Sequence, residues 1–154
     1  IINERMAGGE PVADVIVKAS KLIGVDILER DVPLAIDEFP AIFIAAACAT
    51  GTTRLRGAEE LRVKESDRIQ AMADGLTILD IDCTVFGDGI DIIGGQLSSG
   101  TINSHDDHRI AMSFAIGSLR ATGNITILDC DNVATSFPNF VSLANHVGLS
   151  VIQS

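Results

Sequence analysis

Positive charge is scarce in this sequence of 154 residues. Lys and Arg together number 11 against 21 Asp and Glu, which leaves a formal net charge of −10. Nucleic-acid binding needs a basic face that meets the phosphate backbone, and anionic membrane surfaces also attract cations. The acidity therefore argues against nucleic acid and membrane surfaces as main partners. Apolar residues at 47% and charged residues at 21% are typical of a globular chain.

Cysteine is also sparse, and the three residues present are Cys48, Cys83 and Cys130. Their odd number, their wide spacing and the lack of a CxxC pair exclude a zinc ribbon and a thioredoxin motif. Free thiols are typical of a reducing cytoplasm, so we expect a cytoplasmic protein. No apolar run reaches the roughly 18 residues that span a bilayer, and we expect no signal peptide. The first residue is Ile rather than Met, which indicates a piece of a longer chain.

Gly and Pro divide the chain into short extended and helical segments. Pro40 opens an Ala-rich run that ends at Thr50-Gly51 and predicts a helix, because Pro is favoured in the first helical turn. A nearly all-apolar run at 109–121 ends at Thr122-Gly123 and predicts a second helix. Gly87-Asp88-Gly89 lies between two short apolar runs and predicts a hairpin. The other predicted elements are extended segments at 12–18, 22–28, 52–56, 125–128 and 149–152 and helices at 66–79 and 137–147.

The helices at 40–50 and 109–121 are apolar almost all round, whereas the strands are not. A helix that is hydrophobic on every side is buried on every side, so we expect central helices covered by outer strands. The order of elements also repeats, because Ala49-Thr50-Gly51-Thr52 aligns with Ala121-Thr122-Gly123-Asn124. We therefore predict an α+β fold with an internal repeat of roughly residues 30–95 and 100–154.

The few cations concentrate in one segment. Five of the 11 basic residues lie between Arg54 and Arg68. A local concentration of cations allows an acidic protein to bind an anion there. Ser66 suits the N-cap of the following helix, and Lys64 and Arg68 are four residues apart and can share one side. The alternative interpretation is a solvated, charged helix start with a few ion pairs.

Three further segments stand at predicted helix starts. Asp37 precedes the first buried helix, where either the pKa of its carboxyl is tuned or the side chain simply caps the helix. In His105-Asp106-Asp107-His108-Arg109, either the side chains ligate a metal, or Asp107 caps the second buried helix while His108 and Arg109 point into a cleft. In residues 134–138, Ser136 suits a helix cap. Helix N-termini attract anions, so parallel stacking of the repeats would create one surface for a phosphorylated or carboxylated small molecule.

In order and spacing, four of these motifs resemble the EPSP synthase (3-phosphoshikimate 1-carboxyvinyltransferase) family. The stretch Gly8-Gly9-Glu10-Pro11 is most similar to the class II branch of that family. The resemblance implies an enolpyruvyl transferase-like fold of two domains, each built from repeated βαβαββ units with buried helices and outer sheets, an inside-out α/β barrel. Residues 1–154 then form the C-terminal part of one domain, with about two units present. The motifs are Asp37-Glu38-Phe39-Pro40, residues 59–68 with Lys64-Glu65, residues 107–114 with His108-Arg109, and residues 134–138 with Phe137-Pro138.

The reaction of this family implies roles for individual residues. The enolpyruvyl group of phosphoenolpyruvate moves to the 5-hydroxyl of shikimate 3-phosphate and phosphate leaves, with no metal or organic cofactor. By resemblance, Asp37 accepts the proton of the hydroxyl and Glu65 donates a proton to the methylene of phosphoenolpyruvate. Guanidinium groups suit the carboxylate and phosphate because they donate paired hydrogen bonds. The implied substrate-binding residues are Lys64 on the shikimate side, Arg68 and Arg109 at phosphoenolpyruvate, and His108 as a support near the site.

Two positions depart from the family pattern. Thr135 stands where some members place a Lys that binds phosphoenolpyruvate, and Glu60 stands where some carry an Asn that contacts the sugar. One alternative is an enolpyruvyl transferase acting on UDP-N-acetylglucosamine, although the motifs favour the shikimate branch. Another is a non-catalytic anion-binding domain, because the family's site lies between two domains and needs a missing N-terminal portion of the same enzyme. We therefore expect the isolated 154 residues to be inactive.

Overall fold

Three apolar helices form the centre of the structure, a computed structural model that describes residues 1–153. They are α1 (Phe39–Ala47), α2 (Arg68–Ile78) and α3 (His108–Gly117), and they contact one another. Phe39, Phe43 and Phe114 are fully buried, and such aromatic side chains contribute large apolar areas to a core. The predicted helices at 40–50, 66–79 and 109–121 are therefore confirmed, although α3 ends early and continues as a 3-10 turn over Ser118–Arg120.

Short strands surround these helices. β1 (Ile2–Ala7) and β2 (Glu10–Asp14) form an exposed antiparallel hairpin. β3 (Thr52–Leu55), β4 (Cys83–Phe86) and β5 (Gly89–Ile93) form an antiparallel sheet in the order β3-β5-β4. β6 (Gly100–Asn103) and β7 (Ile125–Leu128) pair in parallel. The predicted hairpin around Gly87-Asp88-Gly89 is the β4–β5 pair.

Two parallel crossovers place α1 and α3 on the inner side of these sheets. Before α1, Ile23 bridges Thr50 and Asp26 bridges Arg54, both in parallel. Around α3, β6 and β7 form the equivalent parallel pair. The inward-facing side chains of the sheets, such as Ile90, are buried, whereas outward ones are exposed. The arrangement is the expected α+β fold with helices inside and strands outside, and the repeat of residues 30–95 and 100–154 stays a prediction.

Several predicted boundaries near the ends of the chain are wrong. The extended segment at 12–18 ends as β2 at Asp14, and the partner strand β1 and the later strand β6 were not predicted. No strand forms at 149–152, where the backbone of Val151 instead hydrogen-bonds the Asn145 side chain. The predicted helix at 137–147 begins later, as α5 (Phe140–His146), and a break separates it from a short helix that was not predicted, α4 (Asn132–Ser136). Pro138 causes this break, because the residue before a proline avoids helical backbone angles and Phe137 has φ −143° and ψ 77°.

One face of the two most apolar helices is open to solvent, contrary to the prediction of burial on every side. Ala41 and Ala45 of α1 are exposed, and Ile116 of α3 is about half exposed. Ala41, Ile116 and Met112 line a groove that runs between α1 and α3, with charged residues at its mouth. Among residues 1–153, no helix has both the length and the apolar character required to cross a membrane.

Candidate active site

The first turns of α1, α2 and α3 meet at one end of the helical core. They bring together three cations and three carboxylates that are far apart in the sequence. The groups interlock in ion pairs between different helices, as expected when helix N-termini carrying charged residues converge. We call this set the charged cluster, and its members are Asp37, Lys64, Glu65, Arg68, Asp107 and Arg109.

The centre of the charged cluster is an ion pair without solvent access. The side chains of Arg68 and Asp107 are both 0% exposed, and Arg68 Nε donates to Asp107 Oδ2 over 2.8 Å. Ser66 Oγ donates to the same oxygen over 3.0 Å, and the backbone N–H of Arg109 donates to Asp107 Oδ1 over 3.0 Å. Burial disfavours both charges, but the pKa of Asp107 is lowered by Arg68 and these hydrogen bonds, and the pKa of Arg68 is raised chiefly by Asp107.

Asp37 is the carboxylate on which the cations converge. One of its oxygens accepts from Arg68 Nη1 over 3.2 Å and lies 3.6 Å from Lys64 Nζ, while the other lies 3.7 Å from Arg109 Nη2. Its side chain is 46% exposed, so it is open to a ligand. Burial opposes ionisation, yet the charges of Arg109, Lys64 and Arg68 lower the pKa of Asp37. Asp37 is therefore a charged acceptor throughout the neutral range.

Lys64 and Glu65 lie in the irregular segment that leads into α2. Lys64 Nζ pairs with Glu60 over 2.5 Å, and this hydrogen bond is the main reason that the pKa of Lys64 is raised. The Glu65 carboxylate accepts from Arg68 Nη2 over 2.6 Å, and about half of its side chain is exposed. Glu65 therefore faces Asp37 across a shared arginine, with solvent access for both carboxylates.

Arg109 and His108 occupy the first turn of α3. Arg109 Nη1 donates to the backbone carbonyl of Asp37 over 2.9 Å, and its side chain is 33% exposed. His108 is the first residue of α3 and is half-buried. Arg109 is therefore the more accessible of the two guanidinium groups, because Arg68 is enclosed by its carboxylate partners.

The structure resolves the alternatives for the helix caps. Asp107 caps α3, as one interpretation of its motif predicts, and among residues 1–153 no group of side chains suited to a metal ion is found. The cap of α2 is Asp67, which accepts from the backbone N–H of Gln70, so the prediction of Ser66 as cap is wrong. Asp37 does not cap α1, since Glu38 occupies that position and the Asp37 carboxylate faces the cations.

The fourth predicted helix start stays apart from the charged cluster. Ser136 ends α4 instead of capping a helix, and Thr135 is exposed. In the described part of the chain, residues 134–138 make no ion pair or side-chain hydrogen bond with the cluster. The nearest link is the amide of Asn132, which donates to the backbone carbonyl of Asp106.

Sequence reasoning identified Asp107 as a cap but missed its pairing with Arg68. The two residues are separated by 39 positions, and no local pattern connects them. Both residues lie in charged stretches, Lys64-Glu65-Ser66-Asp67-Arg68 and His105-Asp106-Asp107-His108-Arg109, so the local sequence carries no signal that would have singled out this pair.

The fold is that of the enolpyruvyl transferases. The structure of the enolpyruvyl transferase NikO from Streptomyces tendae superposes with a TM-score of 0.68 at 20% identity, covering 99% of this chain and 34% of that protein, which shows the shared fold. The structure of EPSP synthase from Acinetobacter baumannii superposes with a TM-score of 0.93 at 59% identity, covering 97% of this chain and 36% of that one.

Sequence comparison leads to the same family. The profile described as EPSP synthase (3-phosphoshikimate 1-carboxyvinyltransferase) matches residues 4–143. The 3-phosphoshikimate 1-carboxyvinyltransferase of Methylococcus capsulatus is 63% identical over 98% of this chain and 35% of its own length. That of Legionella pneumophila is 59% identical over 94% of this chain and 34% of its own length. The chain belongs to the EPSP synthase family, and it spans about a third of the length of the curated relatives that it matches.

Proposed function

We propose that this chain supplies part of the active site of a carboxyvinyltransferase of the shikimate pathway. The enzyme transfers the enolpyruvyl group of phosphoenolpyruvate to the 5-hydroxyl of shikimate 3-phosphate and releases phosphate. The observation that carries the proposal is the charged cluster, in which Asp37, Glu65 and three cations, gathered from the starts of three helices, face one another. A further portion of the same polypeptide, corresponding to the rest of its relatives, completes the site.

Asp37 is proposed to take the proton from the 5-hydroxyl. The hydroxyl oxygen must lose its proton as it bonds to the carbon of phosphoenolpyruvate that carries the phosphate. Asp37 suits this step because its lowered pKa keeps it ionised, and because it is accessible to solvent. Lys64, 3.6 Å from the carboxylate, is placed to contact the shikimate side beside it.

Glu65 is proposed to give a proton to the methylene carbon of phosphoenolpyruvate. Its carboxylate is now held by Arg68 Nη2 over 2.6 Å. An anionic substrate that accepts this hydrogen bond instead would leave Glu65 able to carry the proton. Substrate binding and the protonation of Glu65 are then coupled through the guanidinium group of Arg68.

Arg109 and Arg68 are proposed to hold the carboxylate and phosphate of phosphoenolpyruvate. Arg109 contacts the substrate directly because a third of its side chain is exposed. Arg68 adds a positive charge whose orientation is set by Asp107. Preorganised charges of this kind stabilise a transition state that carries negative charge on the leaving phosphate. His108 supports the site from the first turn of α3.

The full-length protein provides the direct test. Phosphate release is measured with phosphoenolpyruvate and shikimate 3-phosphate, and in parallel with UDP-N-acetylglucosamine as acceptor. The expected result is phosphate release with shikimate 3-phosphate as the acceptor and none with UDP-N-acetylglucosamine. Glu65→Gln should lower kcat by at least about 100-fold, because general acid catalysis contributes on that order.

Glu59→Gln is the matched control for this test, since Glu59 is an exposed acid nearby in sequence and outside the charged cluster. Its kcat should equal that of the wild type. Turnover with the nucleotide sugar instead would assign the enzyme to the other transferase branch. Binding of either substrate without any phosphate release would identify an anion-binding protein.

A cytoplasmic location is part of the same proposal. Cys48, Cys83 and Cys130 are all free thiols in the structure. Burial raises the pKa of the Cys83 thiol to about 11 and also raises that of Cys48, so these groups stay protonated and unreactive at neutral pH. Unpaired cysteines are typical of reducing compartments.

A further inference from the structure

Arg62 lies two residues before Lys64, but its guanidinium group is bound to the β4–β5 hairpin. Its Nε donates to the carbonyl of Gly87 over 2.8 Å, and its Nη2 donates to the carbonyl of Phe86 over 2.5 Å. Its Nη1 donates to Asp67 Oδ2 over 2.6 Å. All three nitrogens of the Arg62 guanidinium group therefore donate hydrogen bonds within the protein. We call these bonds the tie of Arg62, and they leave it as a structural group and not an anion-binding group of the charged cluster.

The hydrogen bond between Arg62 and Asp67 connects the two ends of one short segment. Arg62 precedes residues 63–66, and Asp67 follows them as the cap of α2. The Arg62–Asp67 pair thus closes a ring around the segment that carries Lys64 and Glu65. The hairpin turn to which Arg62 is tied is itself fixed, because Asp88 accepts from the backbone N–H groups of Gly57 and Ala58.

Little apolar packing holds this segment in place. Leu61 is fully buried, but Val63 is 79% exposed, and the next fully buried apolar side chain is that of Ile69. Between them, the segment is attached only through polar groups, including Ser66 Oγ on Asp107. A segment with few buried contacts opens locally at low cost, so its geometry depends on ties of this kind.

We propose that Arg62 is a positioning residue for the carboxyvinyl transfer, and this inference rests on the proposed function. It holds residues 63–66 so that Glu65 meets Arg68 and Lys64 meets Asp37. Reactive groups displaced by about 1 Å lose on the order of 100-fold in rate. Loss of the tie therefore affects the chemical step through Lys64 and Glu65, although Arg62 touches neither of them.

The test compares Arg62→Ala with Arg56→Ala in the full-length enzyme. Arg56 is a matched control because it binds the same hairpin, through Asp91 over 2.8 Å and through its position 3.7 Å from the centre of the Phe86 ring, without contacting residues 63–67. We expect Arg62→Ala to lower kcat by about 10- to 100-fold, with the KM for phosphoenolpyruvate within about threefold. Arg56→Ala should keep the wild-type kcat even if its melting temperature falls equally.

A second variant removes the Arg62–Asp67 pair by changing Asp67 instead of Arg62. Asp67→Ser keeps a good N-cap for α2 while removing the charge that Arg62 binds. It should also lower kcat, and the double variant should be no worse than Arg62→Ala, because Arg62→Ala already removes the Arg62–Asp67 interaction. Additive losses would contradict the proposal, and so would a wild-type kcat in Asp67→Ser. If Arg62→Ala does not fold, the kcat of Asp67→Ser still tests the positioning role.

Cleavage by a lysine-specific protease gives a readout that needs no substrate. The lysines of this chain are Lys18, Lys21 and Lys64, so the cut after Lys64 reports the opening of the segment and the cut after Lys18 serves as a reference. Relative to that reference, cleavage after Lys64 should rise about tenfold in Arg62→Ala and Asp67→Ser and stay unchanged in Arg56→Ala.

The two readouts separate the failure of this inference from the failure of the proposed function. If the wild-type enzyme transfers no enolpyruvyl group, the proposed function fails, while the cleavage rates still decide whether Arg62 holds the segment. If the wild type is active and Arg62→Ala matches Arg56→Ala in kcat, the positioning role is overturned. Unchanged cleavage after Lys64 overturns it in either case.

Discussion

Arg68 and Asp107 depend on each other because neither charge reaches solvent. Taking a charged group out of water costs several kcal/mol, and the mutual attraction and hydrogen bonds of the pair offset this cost. Ser66 Oγ and the backbone N–H of Arg109 at the N-terminus of α3 donate further hydrogen bonds to the Asp107 carboxylate. Removing Arg68 is therefore more damaging than the net stabilisation from the pair would suggest, since Asp107 then stays buried without its counterion.

Asp107→Asn tests this dependence with little change of shape. Asn caps a helix as well as Asp does, so the substitution removes the charge and keeps the cap of α3. We expect a loss of about 1–3 kcal/mol in the free energy of unfolding, because Arg68 loses its one fully buried carboxylate partner and keeps only the half-exposed Glu65 and Asp37. Urea denaturation measures it, and Asp26→Asn is the control.

Asp26 pairs with Arg54 over 3.0 Å at the surface, and both side chains are more than half exposed. Exposed ion pairs contribute about 0–1 kcal/mol, so the control variant should lose less than that. Equal losses in the two variants would mean that burial does not govern the Arg68–Asp107 pair.

Asp107 and Asp37 set an acid limit on stability. The pKa of Asp107 and that of Asp37 are lowered in the folded protein from their ordinary value of 3.8. A carboxyl with a lowered folded-state pKa contributes stability that is present above pH 3.8 and is lost as the pH falls through the folded-state value. The free energy of unfolding should therefore decline steeply below about pH 4, as urea titrations between pH 3 and 7 would show.

Asp107→Asn supplies the comparison, because it removes one of the two titrating groups. Its free energy of unfolding should be lower at pH 7 and should depend less on pH between 3 and 4. An unchanged acid slope in this variant would indicate that Asp107 is not ionised in the folded wild type.

At the scale of elements, local signals predicted those parts of the fold whose causes are local. α1 follows from Pro40 at its start and Gly51 after its end, and the β4–β5 hairpin follows from Gly87-Asp88-Gly89. β6 has no such signal, and it forms because β7 offers a parallel partner through backbone hydrogen bonds. Residues 149–152 are apolar enough for a strand but pair with no neighbouring strand.

The packing of α2 against α3 depends on one small residue. A Cβ placed on Gly75 would lie 2.4 Å from Phe114 Cζ and 3.1 Å from a methyl group of Ile102. Both side chains are fully buried, so the ring has no free space into which it can move. Gly75 is therefore the position that sets the close approach of the two helices.

Gly75→Ala is expected to destabilise the protein by about 1–3 kcal/mol, since overpacking outweighs the gain in helix propensity. Thermal unfolding followed by circular dichroism measures the effect. Gln70→Ala, on an exposed position of the same helix, should change the stability by less than about 0.5 kcal/mol. A more stable Gly75→Ala variant would show that α2 and α3 can move apart at no cost.

At the scale of the whole molecule, the charged cluster opens into the groove between α1 and α3. The curated relatives are nearly three times as long as this chain, and in the proposed function most contacts to the sugar phosphate come from the portion of the enzyme that this chain does not span. Holding two substrates in the right geometry accounts for much of an enzyme's rate enhancement. A site that lacks the groups positioning one substrate therefore loses most of that enhancement.

The isolated chain of 154 residues should therefore release no phosphate from phosphoenolpyruvate and shikimate 3-phosphate. Calorimetry at millimolar phosphoenolpyruvate should still detect weak binding through Arg109, and Arg109→Ala should abolish it. Phosphate release by the isolated chain that disappears in Glu65→Gln would contradict the prediction of inactivity.

The members of the charged cluster lie in short motifs that are visible in the sequence, and their proposed roles come from the resemblance of these motifs to a known family. Asp37, Lys64, Glu65 and Arg109 each lie in such a motif. Their partners were not readable, because Arg68 and Asp107 are 39 positions apart and Arg109 and the Asp37 carbonyl are 72 apart. Helix packing sets these pairings: residues on different helices become neighbours only when α1, α2 and α3 bury their apolar faces together.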